Sequence, residues 1–319
     1  MVRYFRLMKK YNYNLKKKSV IITGSSSGIG FEIAKSYLIN GANVMICSSK
    51  KNNIKNAYKK LLRFKKDKQY LLHKKADVSS YGEIKNLVKF ALKKFKKIDI
   101  LINNAGIYGP KGSIDKVDWK KWVKTVKINL FGSIMLCKEI LPHFKKRNKG
   151  KIIQLSGGGA AAPLPNITGY AVSKVGIVRF IESLSYELKN YKIDVNSVAP
   201  GTINTKMLRE ILKSGPKKIG KIAYKKALIQ KKDGGSSIKD LSELILFLGS
   251  SQSDGISGKL ISSIWDDWRS WTKKINLLKK NDIFTLRRIT PKDRGIKWGI
   301  LNKRSIYDRS LVPTNKLKK

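Results

Sequence analysis

The chain has 319 residues, a length that allows one large α/β domain or two small ones. Because 41% of the residues are hydrophobic and 9% aromatic, the composition excludes an intrinsically disordered protein. Lysine and arginine number 69 against 21 acidic residues, which gives a formal net charge of +48. Because the lysines are spread along the whole chain, we favour solvated helix faces over a nucleic-acid or membrane surface, while an anionic substrate or a phosphate-bearing cofactor also fits this charge.

Short apolar runs alternate with longer amphipathic segments along the chain. The runs predicted as strands cover residues 19–23, 43–47, 70–76, 98–102, 151–155, 192–197 and 256–261. The segments predicted as helices cover residues 29–38, 52–64, 84–95, 119–141, 170–188 and 241–248. This alternation predicts an α/β fold, a Rossmann-like doubly wound parallel sheet with helices on both faces. In such sheets ligands bind beyond the carboxyl ends of the strands.

A glycine-rich turn follows the first predicted strand and opens the first predicted helix. It reads Thr23-Gly24-Ser25-Ser26-Ser27-Gly28-Ile29-Gly30. Glycines permit a tight turn and a close approach of the backbone to a pyrophosphate, and the helix N-terminus adds free N–H groups. A tight turn without a ligand is the alternative, but the strand-turn-helix setting favours a dinucleotide.

The Gly-x-x-x-Gly-x-Gly spacing of this turn resembles the short-chain dehydrogenase/reductase family, in its compact single-domain form. Later segments match the family in order: Asp77-Val78, Asn103-Asn104-Ala105-Gly106, Asn129, Tyr170-Ala171-Val172-Ser173-Lys174 and Pro200-Gly201-Thr202. The resemblance implies oxidoreductase chemistry that interconverts a carbonyl and a secondary alcohol by hydride transfer with a nicotinamide cofactor. It also implies that Asp77 contacts adenine, that Asn129 holds a water linking Lys174 to solvent, and that Pro200 and Gly201 cup the nicotinamide.

Tyr170 and Lys174 are the expected catalytic pair. They are four residues apart on a predicted helix and therefore share one face. A free tyrosine has a pKa near ~10, and a neighbouring cation favours the phenolate that an acid/base group needs near neutral pH. An ordinary aromatic-lysine pair on an amphipathic helix is the alternative, and the other motifs argue against it.

The family serine is where this sequence departs from the pattern. That serine lies thirteen residues before the tyrosine, and the residue there is Gly157. The nearest serine, Ser156, is expected to supply the hydroxyl if the three glycines that follow let the loop bulge. The alternatives are that Ser156 points elsewhere, or that Thr168 substitutes for it.

The second predicted strand ends at Ser48-Ser49-Lys50 without an acidic residue. An acid there would bind the ribose hydroxyls of NAD, whereas hydroxyls and a cation suit a 2′-phosphate, so NADP is favoured and NAD stays possible. The residues expected to contact the cofactor are Thr23, Gly24, Ser26, Ser27, Gly28, Ile29, Gly30, Ser48, Ser49, Lys50, Asp77, Val78, Asn104, Ala105, Gly106, Tyr170, Lys174, Pro200, Gly201 and Thr202. No metal site is expected.

Three segments are expected: a basic N-terminal arm (1–18), an NAD(P)-binding Rossmann-type domain (19–264) and a C-terminal extension (265–319). Residues 201–235 are expected to hold the substrate under an apolar helical lid, or simply to pack on the body. The extension resembles that of short-chain reductases associated with surface-polysaccharide sugars, which suggests a sugar or sugar-nucleotide substrate.

Two other classes of function remain open: a lyase or epimerase with a retained cofactor, and a protein that binds nucleic acid or an anionic surface on an idle fold. Cys47 and Cys137 lie in apolar surroundings, so we expect core thiols and a cytoplasmic location. No apolar stretch reaches the length of a bilayer span, so no membrane insertion is expected. By resemblance, the predicted helices 119–141 and 170–188 would pair subunits into homodimers or homotetramers.

Overall fold

Seven parallel strands form one sheet in the part of the chain that the computed structural model describes, residues 13–296. The strands are β1 (Ser19–Ile22), β2 (Asn43–Ser48), β3 (Leu71–Lys75), β4 (Ile100–Asn103), β5 (Gly150–Leu155), β6 (Ile193–Ala199) and β7 (Leu260–Ser262). Their order across the sheet is β3-β2-β1-β4-β5-β6-β7. Sheet growth reverses direction between β1 and β4, the kind of position where doubly wound sheets bind ligands.

Helices cover both faces of the sheet. They are α1 (Gly28–Ile39), α2 (Lys51–Leu62), α3 (Tyr81–Phe95), α4 (Trp119–Val126), α5 (Gly132–Arg147), α6 (Thr168–Glu187), α7 (Lys206–Ile219), α8 (Lys221–Asp233), α9 (Ile238–Gly249) and α10 (Ile275–Lys280). Val20 and Ile22 pack in one core with α1, α2 and α9, while Ile21 packs in the other with α3, α5 and α6. Successive strand residues point to opposite faces, which explains this alternation. The predicted fold class is confirmed.

Two predicted elements differ from the structure. The helix expected over 119–141 is α4, a π-helical turn at Lys127–Phe131 and then α5, which ends at Arg147. Apolar periodicity does not reveal a single widened turn, because the flanking helical segments keep their own spacing. The strand expected over 256–261 is only β7, since Gly258 has a φ of 73°, which interrupts an extended run just before it.

The C-terminal extension packs on the body as far as it is described. Trp268 and Trp271 are buried in the core that contains α9, and the amide of Leu260 donates to the Phe284 carbonyl at 2.8 Å. At the other end Tyr13 and Leu15 are also buried, so the last residues of the basic arm join the core. The expected segment boundaries remain a prediction. Most of the arm (1–12) and the end of the extension (297–319) lie outside the described residues.

Cys47 and Cys137 are buried free thiols, as predicted, and burial raises the pKa of each to about 12. They are therefore packing residues and not nucleophiles. Within residues 13–296, we find no helix whose length and hydropathy would let it cross a bilayer.

Candidate active site

Two glycines in left-handed conformation shape the turn between β1 and α1. Gly24 has a φ of 61° and Gly28 a φ of 58°, values that side-chain-bearing residues rarely adopt. A β-carbon added at Gly28 would meet only the Thr205 side chain, whose methyl group lies 3.7 Å away, so this side of the turn is open. The first amides of α1 have no carbonyl within the helix to bond, which suits a pyrophosphate. The turn therefore fits the dinucleotide that the sequence predicts.

A second set of contacts joins this turn to the end of β4. The Asn104 side chain donates to the carbonyls of Thr23 at 2.9 Å and Gly24 at 3.1 Å, while Thr23 Oγ1 accepts the amides of Asn104 and Ala105 at 3.0 and 3.1 Å. A β-carbon at Gly30 would lie 2.4 Å from Asn104 Nδ2. Gly30 is thus a glycine because the neighbouring turn occupies its side-chain space.

The end of β2 carries the residues expected to select the cofactor. Ser26 Oγ lies 3.2 Å from Ser48 Oγ, so the glycine turn and β2 meet through two hydroxyls. Ser49 and Lys50 are exposed beyond them. The structure brings these residues together at one edge of the turn, where a ribose or its 2′-phosphate would be held.

Asp77 lies past the end of β3 and accepts the amide and hydroxyl of Ser79, at 2.9 and 2.7 Å. Burial pushes the pKa of this carboxyl up, but those hydrogen bonds and the cations Lys124 and Lys75 outweigh burial, so the net shift is downward. Val78 is buried beside it. The Asp77 carboxylate is therefore fixed by hydrogen bonds at the edge of the sheet where the sequence predicts that adenine binds.

Tyr170 and Lys174 lie on α6 and are both buried. Lys174 Nζ is 5.5 Å from the centroid of the Tyr170 ring and donates to the carbonyl of Leu155 at 3.0 Å. Burial lowers the pKa of Lys174 to about 8. Burial, with a smaller contribution from Tyr108, raises the pKa of Tyr170 above its usual value. The sequence predicted that the neighbouring cation would favour the phenolate, whereas burial raises the pKa of the phenol.

The reason for this burial is a small third core around the phenol. Ile167 and Tyr170 pack with Leu208 and Ile211 of α7, so the segment expected to form the lid covers the tyrosine. The Tyr108 ring contacts the Tyr170 ring edge-on, with centroids 4.7 Å apart. Tyr108 was not singled out from the sequence, although an aromatic residue two positions after Asn-Asn-Ala-Gly at a strand end was a usable signal.

Asn129 lies in the π-helical turn and holds the loop after β4. Its Oδ1 accepts the amide of Ile107 and its Nδ2 donates to the carbonyl of the same residue, both at 2.8 Å. Nδ2 also donates to Ser173 Oγ at 3.0 Å. A β-carbon at Gly106 would lie 3.3 Å from Asn129 Oδ1 and 3.8 Å from Lys174 Nζ, so these groups meet there.

The tyrosine hydroxyl lies against Gly157. A β-carbon there would be 2.4 Å from Tyr170 Oη, so the phenol occupies the space that a side chain at this position would need. Ser156 Oγ is buried and has no hydrogen-bond partner among residues 13–296. Thr168, the other hydroxyl considered, accepts a hydrogen bond from Trp122 Nε1 at 3.0 Å.

The loop after β6 is the expected nicotinamide side. Gly201 has a φ of 74°, and a β-carbon there would lie 2.0 Å from Ile264 Cδ1. Ser263 Oγ donates to the carbonyl of Pro200 at 3.1 Å, and Ser236 Oγ accepts the amide of Thr202 at 3.0 Å. The segment after β7 therefore buttresses this loop.

A parallel sheet with a glycine turn at its switch point, and a tyrosine-lysine pair at the carboxyl ends of the central strands, defines a nicotinamide-dependent oxidoreductase fold. Residues 18–215 match the family model of the short chain dehydrogenases. The chain belongs to the short-chain dehydrogenase/reductase family, which confirms the resemblance that its motifs show.

Named relatives agree with this assignment. The 3-oxoacyl-acyl-carrier-protein reductase FabG of Buchnera aphidicola is 32% identical over 248 residues, 77% of this chain and 95% of the relative. The NAD+-bound xylitol dehydrogenase superposes with a TM-score of 0.71 at 21% identity, over 78% of this chain and 98% of that one. The actinorhodin polyketide ketoreductase with NADPH gives a TM-score of 0.70 at 24% identity, over 77% and 95%. The two structures support the fold, and their cofactors differ.

Proposed function

We propose that the protein reduces a carbonyl to a secondary alcohol, with Tyr170 as the proton donor. The convergence of Tyr170, Lys174 and Asn129 beside the first glycine turn carries this proposal. Asn129 and Lys174 flank Gly106, and Asn104 two residues earlier is bonded to the glycine turn. The bound cofactor would supply the hydride. In the reduction, the buried Tyr170, whose pKa is raised, would donate its proton to the carbonyl oxygen.

Three other residues are proposed to support the chemistry at Tyr170. They are Lys174, Asn129 and Ser156. Lys174, with a pKa of about 8, can return a proton towards Tyr170 near neutral pH. Asn129 positions the loop at Ile107 and supports α6 through Ser173. Ser156 is the proposed hydroxyl for the carbonyl oxygen, which requires the glycines after it to let its buried Oγ turn into the cleft.

We further propose NADP(H) as the preferred cofactor, because Ser48, Ser49 and Lys50 offer hydroxyls and a cation where an acid would favour NAD. Binding measured by cofactor fluorescence should be tighter for NADPH than for NADH. Lys50→Glu should reverse that order, while Lys55→Glu on the exposed face of α2 should not. Equal affinities in the wild-type protein would contradict the preference.

We propose a sugar or sugar nucleotide as the substrate. We also propose that the protein assembles into a homodimer or homotetramer. Exposed apolar side chains on the helices expected to pair support the assembly: Trp119, Phe131, Val172 and Val175 are 40% to 62% exposed. Light scattering of the purified protein tests the assembly, and a monomer at micromolar concentration contradicts it.

The activity is tested by following NADPH oxidation with a panel of ketones that includes keto-sugars. Tyr170→Phe should lower kcat at least about 100-fold while cofactor affinity is kept, since general acid catalysis contributes at least that much. Ser156→Ala should lower kcat by a similar factor if its hydroxyl holds the carbonyl. Turnover of Ser156→Ala at the wild-type rate would remove Ser156 from the site and leave Tyr170 in place.

A further inference from the structure

An ion pair lies beside the aromatic ring that contacts the proposed catalytic tyrosine. Lys111 Nζ, in the loop after β4, lies 3.4 Å from Glu210 Oε2 on α7. The same ammonium lies 5.8 Å from the centroid of the Tyr108 ring, and Tyr108 contacts the Tyr170 ring. The Lys111 side chain is only 14% exposed, whereas that of Glu210 is 40% exposed. A partly desolvated cation is thus held near the phenol by a more accessible carboxylate.

The composition of the lid makes Glu210 unusual. Residues 206–233, which form α7 and α8, contain ten lysines and arginines but only two acidic residues, Glu210 and Asp233. A lid with this balance attracts anions. Yet the only acid of α7 is turned onto Lys111. A substrate anion that displaces this carboxylate would pair with a cation that is already partly desolvated.

We propose that Lys111 is the receptor for an anionic group, a carboxylate or phosphate, on the carbonyl substrate, and that this group replaces the Glu210 carboxylate beside Lys111. The inference rests on the proposed reduction at Tyr170 and adds the substrate class to it. The substrate's carbonyl lies at Tyr170, its middle portion lies along Tyr108, and its anion replaces the Glu210 carboxylate on Lys111. The surrounding aromatic ring lowers the local dielectric and strengthens that pairing.

The two partners then have opposite effects on substrate affinity. Lys111→Met removes the receptor, so KM for an anionic substrate rises about tenfold, the usual effect of losing a charge-assisted hydrogen bond. Glu210→Gln removes the competitor, so KM falls by up to about fivefold, the worth of a partly exposed ion pair. A pair that only latches the lid would give the same direction of change in both variants.

The test uses oxo acids of increasing chain length, from 4-oxopentanoate to 7-oxooctanoate, each beside its neutral methyl ester, and a keto-sugar phosphate beside its free keto-sugar. KM and kcat are measured with NADPH for the wild-type protein and both variants. Lys35→Met is the matched control, because Lys35, on α1, pairs with Glu32 at 3.2 Å and lies 5.2 Å from the centroid of the Phe64 ring.

The proposal predicts that one acid or phosphate is preferred to its neutral form, that Lys111→Met removes the preference, and that Glu210→Gln enhances it. The ratio of carboxylate to phosphate preference identifies the anion. Equal KM values for charged and neutral forms, or a shift of the same sign in both variants, overturns it. No turnover of any probe, charged or neutral, overturns the proposed reduction and this inference with it. Turnover of the neutral esters without acid preference would leave the proposed reduction intact.

Discussion

Lys174 is expected to lower the unfolding free energy of the cofactor-free protein, although we propose a catalytic role for it. Burial holds its pKa at about 8 instead of 10.5, which corresponds to about 3 kcal/mol of unfavourable free energy for the charged form at neutral pH. Replacing it by methionine removes that cost but also loses the hydrogen bond to the Leu155 carbonyl, worth about 1–2 kcal/mol. Lys174→Met should therefore stabilise the cofactor-free protein by about 1–2 kcal/mol while abolishing turnover.

The lowered pKa of Lys174 also determines how stability changes with pH. Between pH 8 and 10.5 the unfolded chain binds the Lys174 proton and the folded protein does not. Wild-type stability therefore rises with pH across this window by up to about 1.4 kcal/mol per unit, and the variant lacks this contribution. The stability advantage of Lys174→Met over the wild-type protein therefore shrinks as the pH rises through this window.

The assay is guanidinium unfolding of both proteins without cofactor, at neutral pH and at about pH 9.5. Lys225→Met, on the exposed face of α8, is the control and should change neither stability nor its pH dependence. A Lys174→Met protein that is less stable than wild type at neutral pH, or that differs from it by the same amount at both pH values, would refute the reasoning.

Three further predictions follow from packing. Gly30→Ala places a β-carbon 2.4 Å from Asn104 Nδ2, so it should cost about 1–3 kcal/mol of unfolding free energy and weaken NADPH binding in a fluorescence titration; unchanged affinity would contradict the fit. Gly157→Ala should displace the Tyr170 hydroxyl and lower kcat at least about tenfold with little change in cofactor affinity, and wild-type kcat would contradict the placement of Oη. Trp268→Ala should cost about 3–5 kcal/mol in denaturant unfolding, whereas Trp268→Phe should cost far less, because the buried Nε1 has no partner within residues 13–296; equal costs would contradict the burial of the extension.

The sequence predicted the sheet well because each strand is a short apolar run bounded by a turn. The ends of elements were harder, as β7 shows: Ile256 is buried like a strand residue, but Gly258 breaks the extended backbone between it and Leu260. The π-helical turn around Asn129 was invisible for a related reason, since it changes the hydrogen-bond step without changing residue types.

The features of the candidate site also fall into two groups, those within local motifs and those that depend on contacts between distant segments. Residues that belong to a fixed local motif, such as the glycine turn and the Tyr170–Lys174 pair, could be proposed as site residues from spacing alone. Contacts between distant segments could not, because nothing local to Tyr108 or Lys111 indicates that α7 packs against them. The burial of Tyr170 under that lid, and with it the raised pKa of the phenol, is a property of tertiary packing.

The most direct test of the central claim is a single-turnover measurement of deuterium transfer from C4-labelled NADPH to the carbonyl carbon of a ketone substrate. Wild-type protein should transfer the label to the product alcohol. Tyr170→Phe should bind the labelled cofactor with similar affinity but transfer deuterium at least about 100-fold more slowly. Transfer at the wild-type rate in Tyr170→Phe would show that the phenol does not supply the proton and would contradict the account.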